Sequence, residues 1–190
     1  LYPFDHEAFG RYEGKAYSVA TNLVTGKAEY LRLRDLKKDI DKVRASASLP
    51  LVARTVTIDG KPYLDGGLSD SIPIQKAVLD GNRRNVVVMT KETGFRRKPI
   101  DPVQLSLIKV RYAKYPKVAG LMANRHIVYN ECLDYIQRLE NKGQIFVIRP
   151  QRLSRVRRIE RDKERMRALY EEGYADAAGR YEELLGYLER

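Results

Sequence analysis

The chain has 190 residues, 43% hydrophobic and 32% charged, a balance that excludes a disordered tail and suits one domain with a sizeable core. One cysteine and two histidines exclude a disulfide framework, a cysteine-based zinc cluster and a histidine-rich metal site, and no apolar run reaches the roughly 18 residues of a membrane span. Thirty-six basic against 25 acidic residues leave a net charge of +11, which permits anionic membranes or nucleic acid as partners and demonstrates neither.

The chain opens at Leu1, and residues 1–14 lack the basic-then-apolar pattern of a leader. That opening reads as an irregular packed segment rich in aromatics. Residues 15–23 and 28–33 read as two strands joined by Thr25-Gly26, hence a hairpin. Leu36, Ile40 and Val43 fall at helical spacing behind Asp35 as N-cap. Residues 51–58 are rich in β-branched side chains, Asp59-Gly60 is a strong hairpin turn, and residues 61–64 return from it. Pro73 suits the first turn of a helix running to about Leu79. Residues 85–90 form a continuous apolar run that suits a buried strand of a parallel sheet. A helix leading into such a strand is half of a βαβ unit and predicts an α/β fold. From about residue 102 to 190 the pattern is mainly helical. Val128, Cys132, Ile136 and Leu139 make one apolar stripe, ended by Gly143, and residues 144–148 read as a late strand. Met166, Leu169 and Tyr170 form a further stripe, and Tyr181, Leu184, Leu185 and Leu188 another. No linker composition divides the chain, so residues 1–190 are expected to form a single domain.

Chemistry concentrates at Asp65-Gly66-Gly67. A carboxylate at a strand end followed by two glycines can be held still, because glycine permits positive φ and close backbone approach. An ionised Asp is an acceptor only and can take a hydroxyl proton. Taken alone, the same tripeptide also reads as a plain turn.

The surrounding residues add a resemblance. Arg44-Ala-Ser-Ala-Ser-Leu-Pro50, the short hairpin, Asp65-Gly-Gly67 and Ser71-Ile-Pro73 follow in order, with Val19-Ala-Thr-Asn-Leu-Val-Thr-Gly26 upstream. This set resembles the patatin-like phospholipase family. Arg125-His-x-x-Tyr-Asn130 and Gly143-Gln-Ile-Phe-Val-Ile-Arg-Pro150 are similar to an uncharacterised bacterial branch of it. The resemblance implies a partial patatin-like three-layer α/β/α domain and a serine acyl hydrolase with a Ser–Asp dyad. It implies Asp65 as general base, with Gly66 and Gly67 shaping its turn. The implied substrate is a lipid or other acyl ester, with no metal and no organic cofactor. A peripheral contact with anionic membrane is a further expected partner, nucleic acid is not expected, and the implied location is cytoplasmic or peripheral on a membrane.

The sequence departs from the family pattern in two respects: no Gly-x-Ser-x-Gly occurs, Gly67-Leu-Ser-Asp-Ser71 lacking the second glycine, and no glycine-rich oxyanion loop occurs. The family carries that elbow and its glycine-rich oxyanion loop N-terminal to the Thr-Asn-Leu strand. The chain is therefore expected to be the C-terminal part of a longer domain, inactive alone and prone to associate through unpaired strand edges. A non-catalytic basic module and a degenerate scaffold without nucleophile are the rival readings. Ser46 and Ser48 read as turn or cap residues, Arg44 as half of an ion pair or a head-group contact, His126 as a packed polar contact and Cys132 as core. The cationic loop Arg96-Arg97-Lys98 is a candidate for a substrate entrance. The charged run 152–167 alternates acids with bases and reads as a solvated, salt-bridged face or a surface for anionic lipid.

Overall fold

The computed structural model describes residues 4–151 and 160–189, which fold as a mixed α/β protein with a helical C-terminal region. The opening segment is more regular than expected. Helix α1, His6–Arg11, forms because the Asp5 side chain accepts from the Ala8 N–H, and the Phe4 ring stands edge-on to His6 and Phe9.

The chain divides into two compact units. The first runs up to Pro73 and adds Arg97–Asn130. It holds a four-stranded antiparallel sheet in the order β2-β1-β4-β3, with β1 Ala16–Asn22, β2 Ala28–Leu33, β3 Val56–Ile58 and β4 Lys61–Asp65. The expected first hairpin is present: the Asn22 side chain accepts from the Val24 and Thr25 N–H groups and Gly26 turns at φ +69°. In the second hairpin Asp59 and Gly60 both have positive φ, 48° and 74°, the backbone twist that two-residue turns demand.

Helix α2, Ile40–Ser46, starts later than the spacing of Leu36 suggests. Asp35 instead closes a turn, its carbonyl accepting from Lys38 and Asp39, and the Asp39 carboxylate takes the Arg34 and Asp35 N–H groups. Local side-chain bonds of this kind compete with a helical start. The predicted strand 51–58 is likewise reduced to Val56–Ile58, because the Leu49 carbonyl accepts from Val52 and Ala53 and forms a turn. Ala20, Ala45, Val56 and Tyr63 pack between α2 and the sheet. Leu23, Leu64 and Leu68 pack with Ile108 and Tyr112 around α4, Pro102–Arg111, and with Val118 of α5, Lys117–Asn141.

The second unit comprises Ile74–Arg96 and residues from Glu131 onward. It contains α3 Ile74–Leu79, β5 Asn85–Val88, β6 Ile145–Ile148, α6 Lys163–Ala178 and α7 Tyr181–Glu189. Gly81 and Gly143, both at positive φ, end the helices before β5 and β6. The two strands pair in parallel, Asn85 opposite Ile145 through Val88 opposite Ile148, as the run 85–90 predicts. The expected burial on both faces is not found: Val87 is buried while Val86 and Val88 are 40% and 71% exposed. Tyr187 of α7 inserts its hydroxyl at the strand starts, accepting from the Asn85 N–H at 3.0 Å and donating to the Gln144 carbonyl at 3.0 Å.

The predicted helical stripes fare unevenly. Ile136 is buried, Cys132 and Leu139 are partly buried, and Val128 is exposed. Met166, Leu169 and Tyr170 are exposed, and in α7 only Tyr187 is buried. Of the charged run 152–167, residues 152–159 lie outside the described residues. From Glu160 onward the salt-bridged reading holds: Arg165 faces Glu160 and Asp162, and Arg167 pairs with Glu171 at 2.9 Å.

Candidate functional site

Asp65 closes β4, opposite Ala20 of the central strand β1. Both of its backbone polar groups are bonded. Its N–H donates to the Ser48 carbonyl at 2.9 Å, and its carbonyl accepts from Thr21 Oγ1 at 2.8 Å. Carboxylate Oδ1 accepts from the Gly67 N–H at 2.6 Å, capping the one-turn 3₁₀ helix Gly66–Leu68. The side chain is partly exposed, and Oδ2 has no hydrogen-bond partner among the described residues. One carboxylate oxygen is thus fixed while the other remains an acceptor, the arrangement a general base needs.

Gly66 is required by backbone crowding, Gly67 lies against the ends of two side chains, and neither has positive φ. A Cβ on Gly66 would stand 2.3 Å from the Val19 carbonyl oxygen. A Cβ on Gly67 would stand 2.8 Å from Asp65 Oδ1 and 2.9 Å from Arg125 Nη2. Close approach, and not a left-handed backbone, is therefore what the Gly-Gly pair supplies here.

Arg125 of α5 was not assigned a site role by sequence reasoning, although it opens the Arg-His-x-x-Tyr-Asn segment. Its Nε donates to the Gly67 carbonyl at 2.6 Å, and Ser71 Oγ donates to the same oxygen at 2.9 Å. The Gly67 peptide is held at both ends, its N–H by Asp65 and its carbonyl by Arg125. Four residues on, Tyr129 lies under the Arg97 guanidinium at 4.3 Å, and Asn130 exchanges hydrogen bonds with the Arg97 backbone. Arg96, by contrast, pairs with Asp134. Two residues of the cationic loop, Arg96 and Arg97, are thereby anchored.

The remaining candidates fall on the structural side. Ser48 Oγ donates to the Arg44 carbonyl at 2.7 Å as a helix-end residue, while its own carbonyl holds Asp65. Arg44 faces Asp41 at 3.3 Å. Ser69 Oγ meets Thr21 Oγ1 at 2.7 Å, so the Gly67–Ser71 fragment is a turn support. His126 is partly buried, and its Nδ1 has no partner among the described residues. Among the described residues no group of three or more His, Cys, Asp or Glu side chains could hold a metal ion.

Near this turn the sheet holds a partly buried carboxylate. Glu29 accepts from Tyr63 Oη at 2.6 Å and from Asn22 Nδ2 at 2.7 Å. Burial alone would raise the Glu29 carboxyl, but these hydrogen bonds and the Lys61 charge outweigh it and hold it below the usual range. The Tyr63 phenol moves the other way, pushed up by burial first and then by the Glu29 carboxylate.

A family model described as patatin-like phospholipase matches residues 19–78, from β1 through α3, and includes the Asp65 turn. A second, described as a domain of unknown function (DUF6363), matches residues 115–189 and includes Arg125. A protein of Escherichia coli (strain K12), described as the uncharacterized protein YjjU, is 30% identical over 112 residues, 58% of this chain. The match covers 31% of the length of that relative.

Proposed function

We propose that this chain is the C-terminal part of a patatin-like domain in a serine acyl hydrolase that cleaves lipid or other acyl esters through a Ser–Asp dyad. The observation that carries the reading is the Asp65 carboxylate, pinned through Oδ1 and open at Oδ2, within the patatin-like match. The serine is supplied from outside the 190 residues. Its hydroxyl attacks the ester carbonyl carbon while its proton passes to Asp65 Oδ2. The tetrahedral intermediate then expels the alcohol, which takes that proton, and leaves an acyl-serine. Water attacks the acyl-enzyme with Asp65 again as base and releases the acid. Arg125 acts through the Gly67 peptide as a positioning residue. No metal or organic cofactor enters this scheme. A cytoplasmic or peripheral-membrane setting belongs to the same proposal, and no helix of the described residues is long and apolar enough to cross a membrane.

The test uses the protein in its full natural length with a fluorophosphonate serine probe and a p-nitrophenyl acyl ester. One covalent label and measurable turnover are expected. Asp65→Asn should lower turnover by about 10³-fold, within the usual range for general-base loss, with an unchanged melting curve. An unlabelled protein, or full turnover in Asp65→Asn, rejects the proposal.

A further inference from the structure

Helix α4 is apolar on two faces. Ile108 and Tyr112 lie in the core of the first unit, and Leu105 is partly buried. Val103, Leu107 and Val110, spaced i, i+4, i+7, form a second stripe and are 68%, 55% and 78% exposed. A helix at a protein surface ordinarily keeps its outer face polar. The neighbouring loop adds Leu51 and Val52, both exposed. Leu51 sits at φ +66°, a conformation that costs a leucine free energy, and its N–H is tied to Tyr112 Oη at 3.2 Å. Together Leu51, Val103, Leu107 and Val110, with Ser106 and Arg111 beside them, line a shallow depression.

Charge decides what covers it. From Pro102 to Asn130 the sequence contains no Asp or Glu, while Lys109, Arg111 and Lys114 are exposed around the stripe and Arg54 is exposed beside the loop. The acid that precedes this stretch in the sequence, Asp101, is occupied in capping α4 through the Val103 and Gln104 N–H groups. A second copy of this chain would bring the same cations and the same +11 charge against its own face. An exposed apolar stripe rimmed by cations fits a layer whose interior is hydrocarbon and whose surface is negative.

We propose that the outer face of α4 and the Leu51–Val52 loop form an interfacial docking surface for anionic bilayers, with the apolar stripe in the acyl boundary and the cations at the head groups. The same loop begins three residues after Ser48, whose carbonyl holds the Asp65 N–H. Docking would therefore set the loop that supports the aspartate against the lipid. The proposal stands on the surface alone and does not require Asp65 to be catalytic.

The test is flotation of the full-length protein with phosphatidylglycerol–phosphatidylcholine vesicles and with pure phosphatidylcholine vesicles. Preferential binding to the anionic vesicles is expected. Leu107→Glu/Val110→Glu should weaken it at least about tenfold, since two exposed apolar groups lose their insertion. Leu169→Glu/Tyr170→Glu, exposed in the second unit, should leave it unchanged. A fluorophore at Val110→Cys in a Cys132→Ser background checks insertion without a stability readout. Its emission should shift to the blue on anionic vesicles, and one at Tyr170→Cys should not. No binding by the natural protein, or binding lost in high salt but indifferent to the α4 substitutions, overturns the proposal. So does an unshifted probe at position 110, or a stripe that binds an acidic protein partner and no vesicle.

Discussion

The antiparallel sheet of the first unit and the parallel pair of the second place their polar groups to different ends. In the first, Ser48, Thr21, Gly67 and Arg125 converge on one short turn and fix a single carboxylate. In the second, Tyr187 joins the starts of β5 and β6, and Arg180 bonds the Val147 carbonyl at 2.5 Å while lying over Phe146. Those bonds fasten a helix to two strands. Buried polar networks are costly unless complete, so the way each is completed indicates what it is for.

The sharpest way to break this contrast is at Gly66. Gly66→Ala puts a methyl 2.3 Å from a backbone carbonyl oxygen, where no flexible side chain can yield. It should destabilise the first unit by about 3 kcal/mol or more, a size typical of forced overpacking, read as a lower midpoint in urea. A loss under about 1 kcal/mol would mean the β1–turn approach is loose. Next comes Arg125→Ala, which frees the Gly67 carbonyl but leaves the Asp65–Gly67 bond. Turnover should fall about 10- to 100-fold with KM little changed, as for a misplaced catalytic group. Guanidinium at millimolar concentration should restore part of it; equal loss in Arg125→Lys with no rescue would assign Arg125 to packing alone. Tyr187→Phe should cost about 1–3 kcal/mol, because the buried Asn85 N–H loses its acceptor. Turnover per folded molecule should not move, and a change in kcat would end the division of roles.

The smallest effect is electrostatic. Burial would raise the Asp39 carboxyl, but bonds from the Arg34 and Asp35 N–H groups and the Lys42 ammonium lower it to about 2. Its folded value lies below its unfolded one. The stabilisation is therefore complete above about pH 4 and is lost as the pH falls toward 2, amounting to at most about 2 kcal/mol. Asp39→Asn should flatten the acid limb of the stability curve over that window and change little at neutral pH. An unchanged acid limb would mean the carboxylate is equally held in the unfolded chain.

Much of the first unit was legible in the sequence because turn residues announce themselves. Asp59-Gly60, Thr25-Gly26 and Asp65-Gly66-Gly67 each mark a backbone constraint that few residues satisfy. The hairpins, α3, Gly143 and the parallel strand at 85–88 follow from the same kind of signal. What the sequence concealed is of two kinds. The Asp39 carboxylate takes the Arg34 and Asp35 N–H groups while the Asp35 carboxylate takes that of Lys37, so the start of α2 is set by local bonds that the apolar spacing does not reveal. Arg125 lies 58 residues from Gly67 along the chain, and no local pattern connects an arginine in one helix to a carbonyl in a distant turn. The outer stripe of α4 was hidden for a related reason. Apolar residues at 103, 107 and 110 are indistinguishable by type from the buried or partly buried set at 105, 108 and 112 until the core is known.

The Glu29–Tyr63 pair lends the sheet an optical property. The chain has 13 tyrosines and no tryptophan, so its near-ultraviolet spectrum is a sum of phenols. A phenol in a model peptide ionises near pH 10, and Tyr63 keeps its proton further into alkali than that. Its stabilising bond is complete below that range and drains away as the pH climbs through it. One late increment of phenolate absorbance therefore marks the opening of β4, the strand that carries Asp65, and an alkaline spectrophotometric titration reads that opening from a single chromophore.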